Sequence, residues 1–211
     1  MEKLQKLIHL VKPFYNTTDP AHDWPHIGRV ISNARELCQF HPDEVNLECV
    51  LAAVYCHDLV NLPKDHPERK NASTLAAEKA KELLISSGFD EDEIIIIQKA
   101  IVEHSFSQGL KASCLEAAIV QDADRLDALG SIGILRCAAV NTQMKSSFYD
   151  PFDPLAQQRE LDDRKFMLDH YFVKLFKLPE LMNTAEARTE ATRRVEYMKS
   201  FISNLMGEIR S

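Results

Sequence analysis

Four side chains, far apart in the chain, are of the types that bind a catalytic metal. They are His26 in Asp23-Trp24-Pro25-His26-Ile27-Gly28-Arg29-Val30, the doublet in Tyr55-Cys56-His57-Asp58-Leu59, and Asp124 in Gln121-Asp122-Ala123-Asp124-Arg125-Leu126-Asp127. Two imidazoles and two carboxylates are a donor inventory for a divalent ion. The doublet carries the physical argument. Val50, Leu51, Ala52, Ala53, Val54, Tyr55, Cys56, Leu59 and Val60 surround it, so the segment reads as a helix that is apolar on all faces and therefore buried. An ionised carboxylate there is either neutralised or given a cation. A divalent metal removes that cost, and imidazole is its commonest partner ligand. Successive helical side chains diverge by about 100°, so both members of the doublet reach one ion only at the angle between them, and other helices must supply further ligands. A core histidine with a satisfied ring nitrogen is the plainer reading of either imidazole taken alone.

Periodicity leaves the last carboxylate open. If residues 114–129 form one helix, Leu115, Ile119, Asp122, Leu126 and Leu129 share a stripe, which puts Asp122 rather than Asp124 on the apolar face. The two lie about 200° apart on a helix and cannot both face one metal.

The elements that must position these groups are helices almost throughout. The pattern predicts a helix over Glu2–Val11, then a turn at Asn16-Thr17-Thr18-Asp19-Pro20. Asp23 caps a helix running to about residue 40, with Pro25 tolerated in its first turn. Pro42 and Asp43 start the buried helix, which ends near Asn61. Leu62-Pro63-Lys64-Asp65-His66-Pro67 is a loop, and loops beside a metal concentrate substrate contacts. A helix from about Asn71 stops at Ser86-Ser87-Gly88, where Gly88 suits the left-handed C-terminal position. The next runs from near Glu91 to His104, with Ile97, Ile101 and His104 along one side and the hydroxyls of Ser105 and Ser107 at its end. The small residues of 130–140 permit close helix packing, 141–155 is the longest irregular segment, a lid or a surface loop, and helices over 156–178 and 184–206 close the chain. The last carries a mixed-charge face from Glu186 to Glu196 and a stripe of Met198, Phe201, Ile202 and Leu205, either core packing or a dimer contact. The expectation is an all-α helical bundle forming one domain over residues 1–211, with a metal-site core at about 22–130 and the helices of 156–206 packed on it.

These blocks, in this order, resemble the HD-domain metal-dependent phosphohydrolases, and within them the small single-domain predicted hydrolases. Ala21-His22-Asp23-Trp24-Pro25-His26-Ile27-Gly28-Arg29-Val30 is similar to that branch's first-histidine motif, and His57-Asp58 to the doublet that names the superfamily. Asp65-His66-Pro67-Glu68-Arg69, Glu103-His104-Ser105-Phe106-Ser107, the block Gln121 to Gly130, and Tyr149-Asp150-Pro151 resemble its later blocks, so the likeness runs from about His22 to Phe201. It implies an HD-type bundle whose metal ligands are His26, His57, Asp58 and Asp124. It further implies catalytic roles for Asp58, which also orients water, and His104, with Lys64, Arg69 and Arg125 on substrate phosphate. The implied reaction is attack of metal-activated water on a phosphomonoester or phosphoanhydride, the substrate a nucleotide.

Ligand type suits Mn, Fe, Co, Ni or Zn better than Mg, and manganese is the expected cofactor. The formal net charge of −7 excludes the broad basic face that long nucleic acid requires, so local cations (Arg29, Lys64, Arg69, Lys70, Arg125) point to a small phosphorylated partner. His22 and His66 follow turn-like sequence and read as exposed loop histidines. Two other classes remain open: a di-iron oxygenase on the same scaffold, with His22, His66 or His104 on a second metal, and a noncatalytic nucleotide-binding regulatory module. The five cysteines lack CxxC spacing and sit in apolar stretches, as in a reducing compartment. With no signal-like leader and no membrane-length apolar run, the expectation is a cytoplasmic monomer or homodimer without membrane contact.

Overall fold

The structure is a computed structural model that describes residues 2–16, 19, 22–62 and 66–209, with the Ser107 side chain outside the description. Among the described residues there are nine α-helices and no strand, only an isolated bridge between Ser147 and Phe166. They divide into two compact units, Met1–Asp124 and Arg125–Ser211.

The first unit is built around α3, Leu47–Cys56, which is buried on nearly every face and packs against α1 (Glu2–Val11), α2 (Trp24–Cys38) and α5 (Glu91–Glu103). Its fourth helix, α4 (Ala72–Ser87), lies on α1 and α5 and stops at Gly88, whose φ of +93° is the left-handed conformation expected there. The Asp23 carboxylate caps α2 by accepting from His26 N at 2.9 Å. Asp90 and Glu93 form a reciprocal capping box on α5.

The buried helix is shorter than its apolar run suggests. It starts at Leu47, because the Asn46 side chain accepts from Cys49 N at 3.1 Å while Pro42 and Asp43 lie in a preceding turn. It stops at Cys56, because the ring of His57 donates from Nδ1 to Val54 O at 2.7 Å, the carbonyl that an α-helical amide at Asp58 would use. His57 and Asp58 therefore sit in the turn after α3 and not inside it.

Helix α6 covers Leu115–Asp127 and contains the division between the units. In the second unit, α7 (Gly130–Met144) continues past residue 140 and ends at Lys145 with φ of +55°. The close approach permitted by its small residues is to backbone: a Cβ at Gly133 would stand 2.2 Å from Ala128 O. The helix expected from residue 156 is absent up to 166, and α8 spans only Met167–Val173 before a 3-10 segment at Leu175–Leu181. Side chains have taken over the backbone there. Buried Asp169 accepts from Arg159 Nη1 and Nη2 at 2.5 and 2.8 Å and from Asp162 N at 2.6 Å. The Asp153 carboxylate holds the amides of Gln157 and Gln158. The last helix, α9 (Ala185–Ile209), buries Met198 and Ile202, and on its solvent side Glu190 pairs with Arg193 and Arg194.

No described helix is long and apolar enough to cross a membrane. All five cysteines are free, and burial pushes the thiols of Cys38 and Cys49 up to about 11 and about 12.

Candidate metal centre

Four segments of the first unit bring their polar ends together. His26 lies on the first turn of α2, His57 and Asp58 follow α3, His104 caps α5, and Asp124 lies on α6. His26 Nε2 stands 3.7 Å from Asp58 Oδ2 and 3.7 Å from Asp124 Oδ1. His57 Nε2 stands 3.4 and 3.9 Å from the same two oxygens. Each of the two imidazoles thus stands within 4 Å of both carboxylates. The imidazoles are fully buried, whereas the Asp58 and Asp124 side chains are 16% and 28% exposed. The carboxylates therefore form the face that solvent reaches.

The packing behind the cluster explains this convergence. Trp24 and Tyr55, each two residues before a site histidine, stack with centroids 5.7 Å apart and planes at 21°. Because side chains two apart on a helix diverge by about 200°, this pair braces α2 against α3 on the side away from His26. Tyr15 reinforces the brace, donating its hydroxyl to Tyr55 O at 2.8 Å. Asn33 of α2 donates to Ala123 O at 3.0 Å, one residue before Asp124, and Gln121 donates to Glu103 O at 2.6 Å, one residue before His104. Neither of these positioning amides is legible in the sequence, since a buried amide has no signature before its partner helix is known.

The chemistry of the donors fits a cation. With its Nδ1–H used on Val54 O, His57 presents the bare lone pair of Nε2, which is buried without a hydrogen-bond partner. Burial, opposed by the neighbouring Asp58 and reinforced by His104, holds the His57 pKa below its ordinary value, so the ring is neutral and ready to ligate. Burial pushes Asp58 the other way, but His57, His26 and His22 outweigh it and hold that carboxyl well below the usual carboxylate range. His26, His57 and Asp58 can jointly hold a metal ion, as can His57, His104 and Asp124.

Asp122 is fully buried, as the helical stripe implies, yet the carboxylate that meets the imidazoles is that of Asp124. His104 comes to the same place: its Nε2 is 4.0 Å from Asp58 Oδ1 and its Nδ1 donates to Ile101 O at 2.5 Å. The expected phosphate cations are less uniform. Lys64 lies outside the described residues. Arg69 donates Nη1 to Leu62 O. Arg125 is described with the second unit, where Nη1 donates to Leu181 O at 2.5 Å. Arg29 is half-buried and Lys70 exposed. His66 accepts from Glu68 N at 3.1 Å. His22 is half-buried rather than exposed: its Nδ1 lies 2.7 Å from Asp19 Oδ2, and its ring is 6.1 Å from that of His26.

Comparison with known proteins agrees with this constellation. The family model described as HD domain matches residues 24–129, about half the chain and inclusive of His26, His57, Asp58, His104 and Asp124. A crystal structure of an HD-superfamily hydrolase from Bacillus thuringiensis is 31% identical, with a TM-score of 0.76 over 100% of this chain and 98% of that one. A Lactobacillus plantarum protein of known structure is 29% identical, with a TM-score of 0.77 over 98% and 96% of the two chains. Bacillus subtilis YpgQ, solved in complex with ADP, is 26% identical with a TM-score of 0.76 over 99% and 97%. The span of the family match and the residues inside it place this chain in the HD-domain superfamily of metal-dependent phosphohydrolases.

Proposed function

We propose that this protein hydrolyses a phosphoanhydride or phosphomonoester bond of a nucleotide, using one divalent ion, manganese first among candidates, held by His26, His57, Asp58 and Asp124. The observation that carries this reading is the approach of two buried imidazole Nε2 atoms to two partly exposed carboxylates at 3.4 to 3.9 Å. When bound, such an ion supplies a water of lowered pKa and positive charge beside the phosphoryl oxygens.

The chain's own groups do the rest. Val54 fixes the His57 tautomer, so the imidazole needs no deprotonation to act as a donor. Asp58, partly exposed, accepts a hydrogen bond from the attacking water and aligns it. His104, on the far side of Asp58, contacts a phosphate oxygen. Arg69 has five N–H donors, so its bond to Leu62 leaves others for phosphate, and Lys64 and Arg125 are the further cations that the family resemblance assigns to substrate phosphate. A small anion suits a chain of net charge −7 better than a polyanion does. The ADP bound by YpgQ supports a nucleotide in particular.

The test is a phosphate-release screen over nucleoside mono-, di- and triphosphates, pyrophosphate and sugar phosphates with Mn, Mg, Ni and Co. Turnover of a nucleotide with manganese is expected. A metal-replete protein that cleaves none of these refutes the reading.

A further inference from the structure

We propose that Gln121 is the positioning residue for His104, an assignment that rests on the reading above, in which the His104 imidazole contacts substrate phosphate. His104 follows the last residue of α5, and a helix end leaves its last carbonyls without an intrahelical donor. Side chains take that place here. The His104 ring donates Nδ1 to Ile101 O at 2.5 Å, Ser73 of α4 donates Oγ to Val102 O at 3.1 Å, and Gln121 of α6 donates Nε2 to Glu103 O at 2.6 Å. Three successive carbonyls are thus closed by three separate side chains, and the backbone that carries His104 is tied to both α4 and α6.

Ser73 and Gln121 also grip the chain beyond His104. Gln121 Nε2 donates a second time, to Leu110 O at 3.1 Å, and Ser73 Oγ accepts from Gln108 Nε2 at 2.7 Å. Glu103 closes the same loop by accepting from Ser113 N at 2.8 Å. The two bonds of Gln121 use both hydrogens of its amide. One of them would suffice to cap α5; the second holds the loop, so His104 has fixed backbone on either side. Gln121 is buried and stands one turn before Asp124, on the same side of α6. A single side chain therefore sets the place of the phosphate-contacting imidazole relative to a carboxylate of the metal centre. Displacing such a group by about 1 Å costs about 10²-fold in rate.

The experiment is a double-mutant cycle of Gln121→Met and His104→Ala, with manganese and the nucleoside phosphate that the screen above finds to be cleaved fastest. Calorimetric manganese titration and NMR of the histidine rings in the metal-free protein accompany it. Gln121→Met is expected to lower kcat about 10²-fold, with KM little changed and full manganese stoichiometry. It should shift the ring signals of His104 and leave in place those of His57, which Val54 holds independently. In the His104→Ala background the same change should cost nothing further, because its effect passes through the missing ring. Ser73→Ala, which opens one carbonyl, should repeat the pattern with a smaller loss, and it takes the place of Gln121→Met in the cycle if that variant does not fold. Losses that multiply in the double variant, or unmoved His104 signals, overturn the positioning role while leaving the hydrolase reading intact. A wild-type protein that cleaves no nucleotide removes the hydrolase reading and this role with it.

Discussion

His57 and His104 meet edge to face, with ring centroids 4.9 Å apart and planes at 86°. Each stands at the C-terminal cap of its helix, α3 or α5, and each donates Nδ1–H to the carbonyl three residues back. The same local device thus ends two helices and leaves two Nε2 atoms beside Asp58. The two need not have equal duties. If His57 ligates and His104 contacts phosphate, His104→Ala keeps manganese and loses about 10² to 10⁴ in kcat. Calorimetry alongside turnover checks this, and loss of the metal would make His104 a ligand instead.

The carboxylates of α6 separate by exposure. Asp124→Asn should abolish manganese binding and activity with an unchanged melting temperature, because its side chain is 28% exposed and its partners are the site imidazoles. Asp122→Ala should do the reverse, costing about 1–3 kcal/mol of stability through a fully buried position. Thermal melts and metal titrations of the two variants decide between them.

Asn33 is a positioning residue. Its amide ties α2 to Ala123 O beside Asp124 at 3.0 Å in a buried setting. Asn33→Ala leaves that carbonyl without this donor and should cost about 1–3 kcal/mol, together with a weaker manganese affinity. Asn33→Asp, with no amide hydrogen to donate, should restore neither.

Stability without metal should depend on pH in a defined sense. The folded pKa of His57 lies below its ordinary 6.5 through burial, so the unfolded chain binds that proton more readily. Its contribution is complete above 6.5 and is lost as pH falls through the lower folded value. Asp58 adds a second limb, complete above its ordinary 3.8 and lost at still lower pH, because the surrounding imidazoles outweigh burial. Urea melts of chelator-treated protein should weaken as pH drops below 6.5, and His57→Gln should flatten that first limb. A wild-type curve that is level from pH 7 to pH 5 would contradict the depressed value.

Most helices follow from period and punctuation: Val11 before Pro13, Asp23 as a cap, and Gly88 in the left-handed position are local decisions, and the chain makes them locally. The end of α3 is different. The apolar run continues through Leu59 and Val60, and only the ring bond from His57 to Val54 stops the helix at Cys56. Residues 156–166 have helical composition, but Arg159 and Asp162 both turn to Asp169. Period put Asp122 on the core face and was right about its burial. It carries no information on where a residue off the stripe meets three other helices, so the meeting of Asp124 with His26 and His57 was legible only through the resemblance of its motif. Asp19 and His22 are close in sequence, but spacing alone does not say that their side chains pair.

The most direct measurement is a manganese titration of the metal-free protein by calorimetry, with phosphate release from a nucleotide followed on the same samples. Wild-type protein should bind one ion per chain and turn the nucleotide over. His57→Ala should bind none and release no phosphate while keeping its helical circular dichroism. Full manganese stoichiometry or normal turnover in His57→Ala would contradict a metal held between the histidine-aspartate doublet, His26 and Asp124.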